Sequence, residues 1–301
     1  MKPLLLLFFC LALISCQQQT ETPVEVALFG EGIISSELPE FATSVNSDQH
    51  LIFFNRTTAD RSRMWLMYAK LVGDQWSTPD TLPFSKGDYV DVDPFLSADG
   101  SKLYFSSNRP VDSSTTEAGV FNSWFVEKEG EEWSTPTLLP APLNSDSNEI
   151  FMTLTQSGEA YFVSNRSGER TIMMSQFTDG QYQEAKKVEL RLEGKAVYAS
   201  NPCVSSDGRF MIVAVRDPQE GGPPDLYVSW QEKGNWGELI NLGDEVNTPY
   251  AEFAPGLSKD DQILYFTSER PGIVPEQEEG VRPPGDIYVV HTHTLFAKLR
   301  P

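Results

Sequence analysis

A segment of about 50 residues recurs five times along the chain, and this repeat limits the possible folds more than any other feature. The recognisable parts of the copies span 41–56, 93–109, 150–166, 201–216 and 252–270, and they end at Arg56, Arg109, Arg166, Arg216 and Arg270. Successive arginines lie 53, 57, 50 and 54 residues apart. A period near 50 residues is typical of propeller blades, which must stack on their neighbours to bury their apolar surface.

Each copy has the pattern of four antiparallel strands. Two apolar runs flank a turn such as Asp99-Gly100, and this pair is a strong hairpin signal because glycine accepts the positive φ of the turn. A third apolar run follows, and a shorter one begins at Trp76, Trp133, Tyr182 and Trp236 in the first four copies. Four antiparallel strands make one propeller blade. The sequence therefore predicts an all-β fold, a single five-bladed β-propeller of four-stranded antiparallel blades.

The last copy lacks an obvious fourth strand, and the N-terminal region offers one. Residues 29–41 match residues 242–253, which places residues 24–29 at the outer edge of the last blade. Such a closure joins both ends of the chain in one sheet and removes an open edge. The alternative closure uses residues 292–299 as the outer strand. We expect a propeller domain over 24–301, with repeat units near 41–90, 91–146, 147–198, 199–248 and 249–291.

The first sixteen residues have the features of an export signal. One basic residue precedes an apolar run over residues 4–14, which is too short to span a bilayer but fits a signal peptide. Leu-Ile-Ser-Cys at 13–16 resembles the bacterial lipobox, where the cysteine receives a lipid. The resemblance implies a lipoprotein signal peptide over 1–15, a lipidated Cys16 and a polar tether over 16–23. It also implies a place at the outer membrane facing the periplasm, with membrane contact through the lipid anchor only.

The repeat motifs resemble those of a known family. Ser-Xaa-Asp-Gly at 97–100, Leu-Tyr-Phe-Ser-Ser-Asn-Arg at 103–109, Asp-Ile-Tyr at 286–288 and Trp-Ser-Xaa-Pro at 76–79 look like the repeats of TolB-type, WD-repeat-like β-propeller lipoproteins of bacteria. The resemblance covers residues 24–291. It implies the propeller fold and protein partners in the cell envelope. The motifs consist of turn and packing residues, so they define no ligand.

The charge of the chain excludes one class of partner and points to a candidate site. The 301 residues include 43 acidic and 23 basic ones, a net charge of −20, which repels nucleic acids and anionic membrane surfaces. Polar residues recur where each first strand is expected to begin, and these are Glu40, Asp93, Glu149, Asn201 and Glu252. These residues are candidates for a binding site at one mouth of the channel. The alternative is that each acid pairs with the arginine of its own repeat, a purely structural role.

The sequence favours binding over catalysis. It contains no Gly-Xaa-Ser-Xaa-Gly elbow and no phosphate-binding glycine loop, and we expect no cofactor and no metal site. His291 and His293 would lie on one face of a strand, which gives too few ligands for a closed zinc site. We predict a monomeric, non-catalytic binding or scaffold module for an envelope protein, a peptide or a glycan. The alternative is a glycoside hydrolase or lyase that uses carboxylates at the central channel.

Overall fold

The computed structural model of the chain describes residues 23–112, 114–217, 221–275 and 281–299. The predicted signal peptide and Cys16 lie outside these residues, as does most of the predicted tether. Within the described residues, five antiparallel sheets, one for each repeat, form a five-bladed β-propeller. The fold predicted from the repeats is therefore confirmed. No helix in this part of the chain is long and apolar enough to cross a membrane.

The strands follow one another blade by blade, except that the first strand, β1 (Val26–Leu28), belongs to the last blade. Blade 1 contains β2 (Glu40–Val45), β3 (Leu51–Thr57), β4 (Met64–Val72), β5 (Gln75–Trp76) and β6 (Asp80–Thr81). Blade 2 contains β7 (Asp91–Leu96), β8 (Lys102–Ser107), β9 (Asn122–Glu129), β10 (Glu132–Trp133) and β11 (Thr137–Leu138). In both blades the outer strand is split into two short pieces by the segment that ends in Pro79 or Pro136, because proline cannot donate to the ladder.

Blades 3 to 5 repeat this order with local differences. Blade 3 contains β12 (Glu149–Leu154), β13 (Ala160–Ser164), β14 (Thr171–Ser175) and β17 (Lys186–Lys187), with the small hairpin β15 (Phe177–Thr178) and β16 (Gln181–Tyr182). A second small hairpin, β18 (Arg191–Leu192) and β19 (Lys195–Ala196), leads to blade 4. Blade 4 contains β20 (Ala199–Val204), β21 (Phe210–Asp217), β22 (Gly221–Glu232), β23 (Asn235–Trp236) and β24 (Ile240–Asn241). Blade 5 contains β25 (Glu252–Leu257), β26 (Ile263–Ser268) and β27 (Asp286–His291).

The N-terminal strand closes the ring. Strand β1 runs antiparallel to β27, with Val26 opposite Val290 and Leu28 opposite Tyr288. Residues 292–299, the alternative outer strand, form the helix α1 (Thr292–Leu299) instead. Strand β27 ends at His291, so the two histidine side chains do not share a strand face, although their rings lie 5.5 Å apart. The predicted N-terminal closure is therefore confirmed.

The apolar core lies between the blades rather than within any one of them. Five buried clusters each join residues of two neighbouring blades. In strand β3, Phe53 packs towards blade 2 while Phe54 packs towards blade 5, because side chains alternate along a strand. Both faces of every central strand are covered, which explains why the second strands read as continuous apolar runs. The repeat tryptophans contribute to the same contacts: the ring centroid of Trp133 lies 5.9 Å from that of Phe53 in the preceding blade.

Each innermost strand contains a β-bulge at the same place. The register shifts between the second and fifth residues of β2, β7, β12, β20 and β25. The third residue of each strand has a positive φ, between 48° and 59°: Ala42, Asp93, Phe151, Asn201 and Ala254. An extra residue at a bulge bends the strand and redirects its side chains. Because the bulge recurs in all five blades, it belongs to the blade design, and it sets which side chains face the channel.

Candidate functional site

Five hairpin turns surround one end of the channel and place one residue each at equivalent points. The side-chain oxygen that closes each turn belongs to Asn46, Ser97, Thr155, Ser205 or Ser258, and it accepts a backbone N–H at 2.9–3.0 Å. The residues that follow them form what we call the mouth ring: Ser47, Ala98, Gln156, Ser206 and Lys259. The turn residues accept the same backbone hydrogen bond in every blade, whereas the side chains of the mouth ring differ in chemistry from blade to blade.

The mouth ring opens onto a cavity of about 570 Å³ inside the channel. Its walls are the innermost strands, and they are largely apolar, with Phe95, Leu154 and Leu257 among the lining residues. Pockets that bind small molecules commonly have volumes of about 300–1,000 Å³ and combine apolar walls with a few polar groups. The volume and lining of this cavity therefore suit a small ligand or the end of a larger one.

The cavity ends near the bulges. Ala42, Asp93 and Phe151 line it at this level, and Ala42, Phe151 and Ala254 belong to an apolar cluster that also includes Phe41 and Phe253. The rings of Phe41 and Phe253 lie 6.5 Å apart between their centroids. This cluster lies at the end of the channel where the first strands begin, so the cavity belongs to the hairpin side of the propeller.

Lys259 gives the mouth ring its one charged side chain. Its Nζ donates a hydrogen bond to the backbone carbonyl of Leu96 at 2.5 Å and lies 4.5 Å from the ring centroid of Phe95. The side chain therefore extends from blade 5 past blade 1 to blade 2. Burial lowers the pKa of Lys259 to about 8, although Asp261 and Cys203 act in the opposite direction. The ammonium group is thus held in a partly dry site by a carbonyl and an aromatic face.

Asp93 is the acidic residue of the cavity nearest the bulges. Part of its surface faces the cavity, yet protein surrounds it on the remaining sides. Its backbone N–H donates to Asn55 Oδ1 at 2.8 Å, which ties blade 2 to blade 1. Burial raises the pKa of the Asp93 carboxyl to about 7, and Arg170, the Phe151 amide and the Ser106 hydroxyl offset only part of this effect. Near neutral pH the group can therefore gain or lose a proton.

Two further acids line the cavity but serve the turns. Asp99 Oδ1 accepts hydrogen bonds from the hydroxyls of Ser97 at 2.6 Å and Ser101 at 2.8 Å, and these bonds lower the pKa of Asp99 to about 2. Asp261 occupies the place that glycine takes in other turns, with a φ of 58°, and its carboxylate accepts the N–H and the hydroxyl of Ser206. These contacts fix the hairpins and lock blade 5 to blade 4.

Three of the four predicted channel-mouth acids occupy a different end of the propeller from the cavity. Glu40, Glu149 and Glu252 are the first residues of their strands and have no exposed surface. Each accepts hydrogen bonds from the backbone N–H and the hydroxyl of the residue four positions earlier, as Glu149 does from Ser145 at 2.9 and 2.7 Å. Burial raises the pKa of Glu40 and of Glu252, while these hydroxyls and the nearby arginines pull it down.

Each of these acids also contacts an arginine of its own repeat. The nitrogen–oxygen distances are 2.6 Å for Arg56 and Glu40, 3.1 Å for Arg166 and Glu149, and 3.4 Å for Arg270 and Glu252. The equivalent pair in blade 2 is Arg109 with Asp91 at 2.7 Å, not with Asp93. These contacts are those of the structural alternative, in which the repeated acids stabilise their blades.

Blade 4 departs from this scheme. Ala199 stands where the other blades have an acid, and Asn201 is the bulge residue, two positions further along the strand. Arg216 is exposed and donates from Nη1 to the carbonyl of Gly222 at 2.7 Å. A simple count would have found the correct register: the first residue of each innermost strand lies six residues before the turn residue in all five blades. That count selects Asp91 and Ala199.

The described residues show no other cluster of ligands. No group of three or more histidine, cysteine, aspartate or glutamate side chains among them is placed to hold a metal ion. The segment 271–285, between β26 and β27, is described over 271–275 and 281–285.

Comparison with solved structures finds other β-propellers. The α-L-arabinofuranosidase catalytic domain of Coprinopsis cinerea aligns with a TM-score of 0.52 at 11% identity, over 84% of this chain and 90% of that one. RS223-β-xylosidase aligns with a TM-score of 0.52 at 10% identity, over 89% and 94%. TolB from Acinetobacter baumannii aligns with a TM-score of 0.49 at 13% identity, over 85% of this chain, which spans only 55% of that protein.

These similarities concern the fold alone. TolB proteins are among the structural neighbours, as the sequence motifs suggested, and so are glycosidases. No protein-family model and no curated protein matches the chain. The functional question therefore rests on the residues of the cavity.

Proposed function

We propose that this protein is a lipid-anchored binding module of the bacterial cell envelope that receives its ligand through the mouth ring. The observation that carries the proposal is that the repeated and the non-repeated polar side chains lie at opposite ends of the propeller. The acids that recur in the blades are engaged with arginines at one end of the propeller. The side chains that differ between blades, including Lys259 and Asp93, line the cavity at the other end. Residues that break a structural repeat are those available for a specific ligand.

The envelope location is supported by residues 1–16 and is testable by fractionation. We expect Cys16→Ser to move the protein from the membrane fraction to the soluble periplasmic fraction, because the lipid is its only anchor. Cys10→Ser, within the signal peptide, is the matched control and should leave the distribution unchanged. Membrane association that persists in Cys16→Ser would contradict the anchoring proposal.

Binding at the mouth is testable by photo-crosslinking in cells. A photoreactive phenylalanine analogue at Ala98 lies in the mouth ring, whereas the same analogue at Val72 lies at the exposed end of strand β4. We expect a discrete cross-linked product from Ala98 and none from Val72, and we expect Lys259→Met to weaken it. Equal products from both positions, or none from either, would contradict the proposal.

The alternative function, a carbohydrate-active enzyme, is favoured by one observation. Glycoside hydrolysis uses two carboxyl groups in different protonation states, and the environments of Asp93 and Asp99 place their pKa values at about 7 and about 2. Against this, both oxygens of Asp99 accept hydrogen bonds from Ser101, so that carboxylate already serves its turn. Aryl arabinofuranosides and xylosides provide the assay. Turnover by the wild type that Asp93→Asn abolishes would replace our proposal with the alternative.

A further inference from the structure

The cavity contains two groups of opposite charge that do not pair with each other. Within the described part of the chain, neither Asp93 nor Lys259 has an ion-pair partner within 4.0 Å. The repeat acids show how this protein treats a buried carboxylate that has only a structural role, because each of them contacts a guanidinium group. Asp93 and Lys259 therefore share one cavity without the kind of ion pair that each repeat acid makes.

The two groups lie at different depths. Lys259 belongs to the mouth ring, while Asp93 lies at the level of the bulges, where the apolar cluster closes the cavity. An ammonium group has three N–H donors, and the Lys259 ammonium uses one on the Leu96 carbonyl. The carboxyl of Asp93 accepts hydrogen bonds from the Phe151 amide and the Ser106 hydroxyl, which use two of the about four lone-pair sites of a carboxylate. A ligand that carries a cation at its leading end and an anion at its trailing end would satisfy both groups.

The walls between these two groups suit a peptide. They are formed by apolar side chains such as Leu154 and Leu257, together with the hydroxyl of Thr153. One face of the Phe95 ring, which could otherwise stack on a sugar, is occupied by Lys259. Burial raises the pKa of Asp93 and lowers that of Lys259, and the nearby charges of Arg170 and Asp261 offset only part of these two shifts. Opposite charges from a ligand would reverse both shifts.

We propose that the cavity binds a short peptide with free ends, whose α-ammonium group contacts Asp93 and whose α-carboxylate contacts Lys259. This inference rests on the proposed binding function and specifies its ligand. Asp99 and Asp261 are less suited to the ammonium group than Asp93, because both carboxylate oxygens of each already accept hydrogen bonds from serines of the turns. The cavity volume of about 570 Å³ restricts the ligand to a few residues.

The test uses the purified full-length protein and four forms of the tripeptide Ala-Leu-Ala: free, N-acetylated, C-amidated and doubly blocked. We expect calorimetry to show that either block weakens binding by more than about tenfold, because it leaves one buried charge without a partner. In Asp93→Asn, acetylation should have little further effect, and in Lys259→Met the same should hold for amidation. Arg216→Met, which lies outside the cavity, should bind as the wild type does.

Several outcomes would overturn the inference. It fails if the doubly blocked peptide binds as well as the free one, or if each variant responds to both blocks as the wild type does. It also fails if no form of the peptide binds to a protein whose urea unfolding is normal. If a mouth cross-link from Ala98 persists in that case, the proposed function survives without this ligand. If the cross-link is also absent, both proposals fail.

Discussion

Replacement of Arg166 by methionine tests whether the repeated acids stabilise their blades. Arg166 Nη2 lies 3.1 Å from Glu149 Oε1, and the Glu149 side chain has no exposed surface. Methionine retains much of the aliphatic length but removes the charge. The substitution therefore leaves a buried carboxylate without its cation, while the packing of the arginine stem changes little.

The magnitude follows from the contacts. Removal of one partner of a buried ion pair costs about 3–5 kcal/mol. Glu149 would keep its hydrogen bonds from the N–H and hydroxyl of Ser145 and from the hydroxyl of Ser164, at 2.7–2.9 Å, which favours the lower end. The guanidinium group also gives up two backbone carbonyl contacts, worth about 1 kcal/mol each. We expect the free energy of unfolding to fall by about 5 kcal/mol, of which about 3 come from the ion pair and about 2 from the carbonyl contacts.

The assay is urea unfolding, and Arg216→Met is the matched control. Arg216 ends the corresponding repeat of blade 4, but it is exposed and contacts no acid among the described residues. Its replacement should change the free energy of unfolding by less than about 0.5 kcal/mol. Two results would contradict this reasoning: an equal loss of unfolding free energy in both variants, or a loss below about 1 kcal/mol in Arg166→Met. In either case the pairing of acid and arginine does not stabilise the blades, and the predicted binding role of Glu149 regains support.

Three further predictions concern closure, the thiol and pH. Ala27→Pro should lower the melting temperature and Ala27→Ser should not, because proline removes the Ala27 N–H. The Phe29 N–H donates to the Ile287 carbonyl, and strand alternation points the Ala27 N–H in the same direction, towards β27. Equal melting temperatures for the two variants would argue against closure by β1. Cys203 is buried, and burial raises the pKa of its thiol to about 12. Iodoacetamide should therefore label this thiol only after the protein unfolds. Rapid labelling of the native protein would refute this prediction. Burial raises the pKa of Asp93 and Asp286 to about 7 and about 6, so the folded state holds protons that the unfolded chain releases. Stability should therefore fall as pH rises from about 4 to 7, less steeply in Asp93→Asn, and a melting temperature that rises over this range would contradict the assignment.

The sequence alone determined the architecture because the blade is a local unit. Each hairpin is formed by residues adjacent in the chain, and Gly100 and Gly208, with φ values of 72°, take up the positive φ that the Asp-Gly motif predicts. The period of about 50 residues set the number of blades, and the match between residues 29–41 and 242–253 located the closing strand. These features repeat, so each copy supports the interpretation of the others.

The candidate site depended on tertiary structure because it is built from single residues of five separate strands. The bulge shifts the register by one residue, and this decides that Asp91 contacts an arginine while Asp93 lines the cavity. Local sequence pattern does not report such a shift, because side chains exchange sides with every residue along a strand. The role of Lys259 was likewise not predictable from local sequence, because its contacts with Phe95 and Leu96 join residues more than 160 positions apart. The repeat specifies the scaffold, whereas the cavity exists only once the ring has closed.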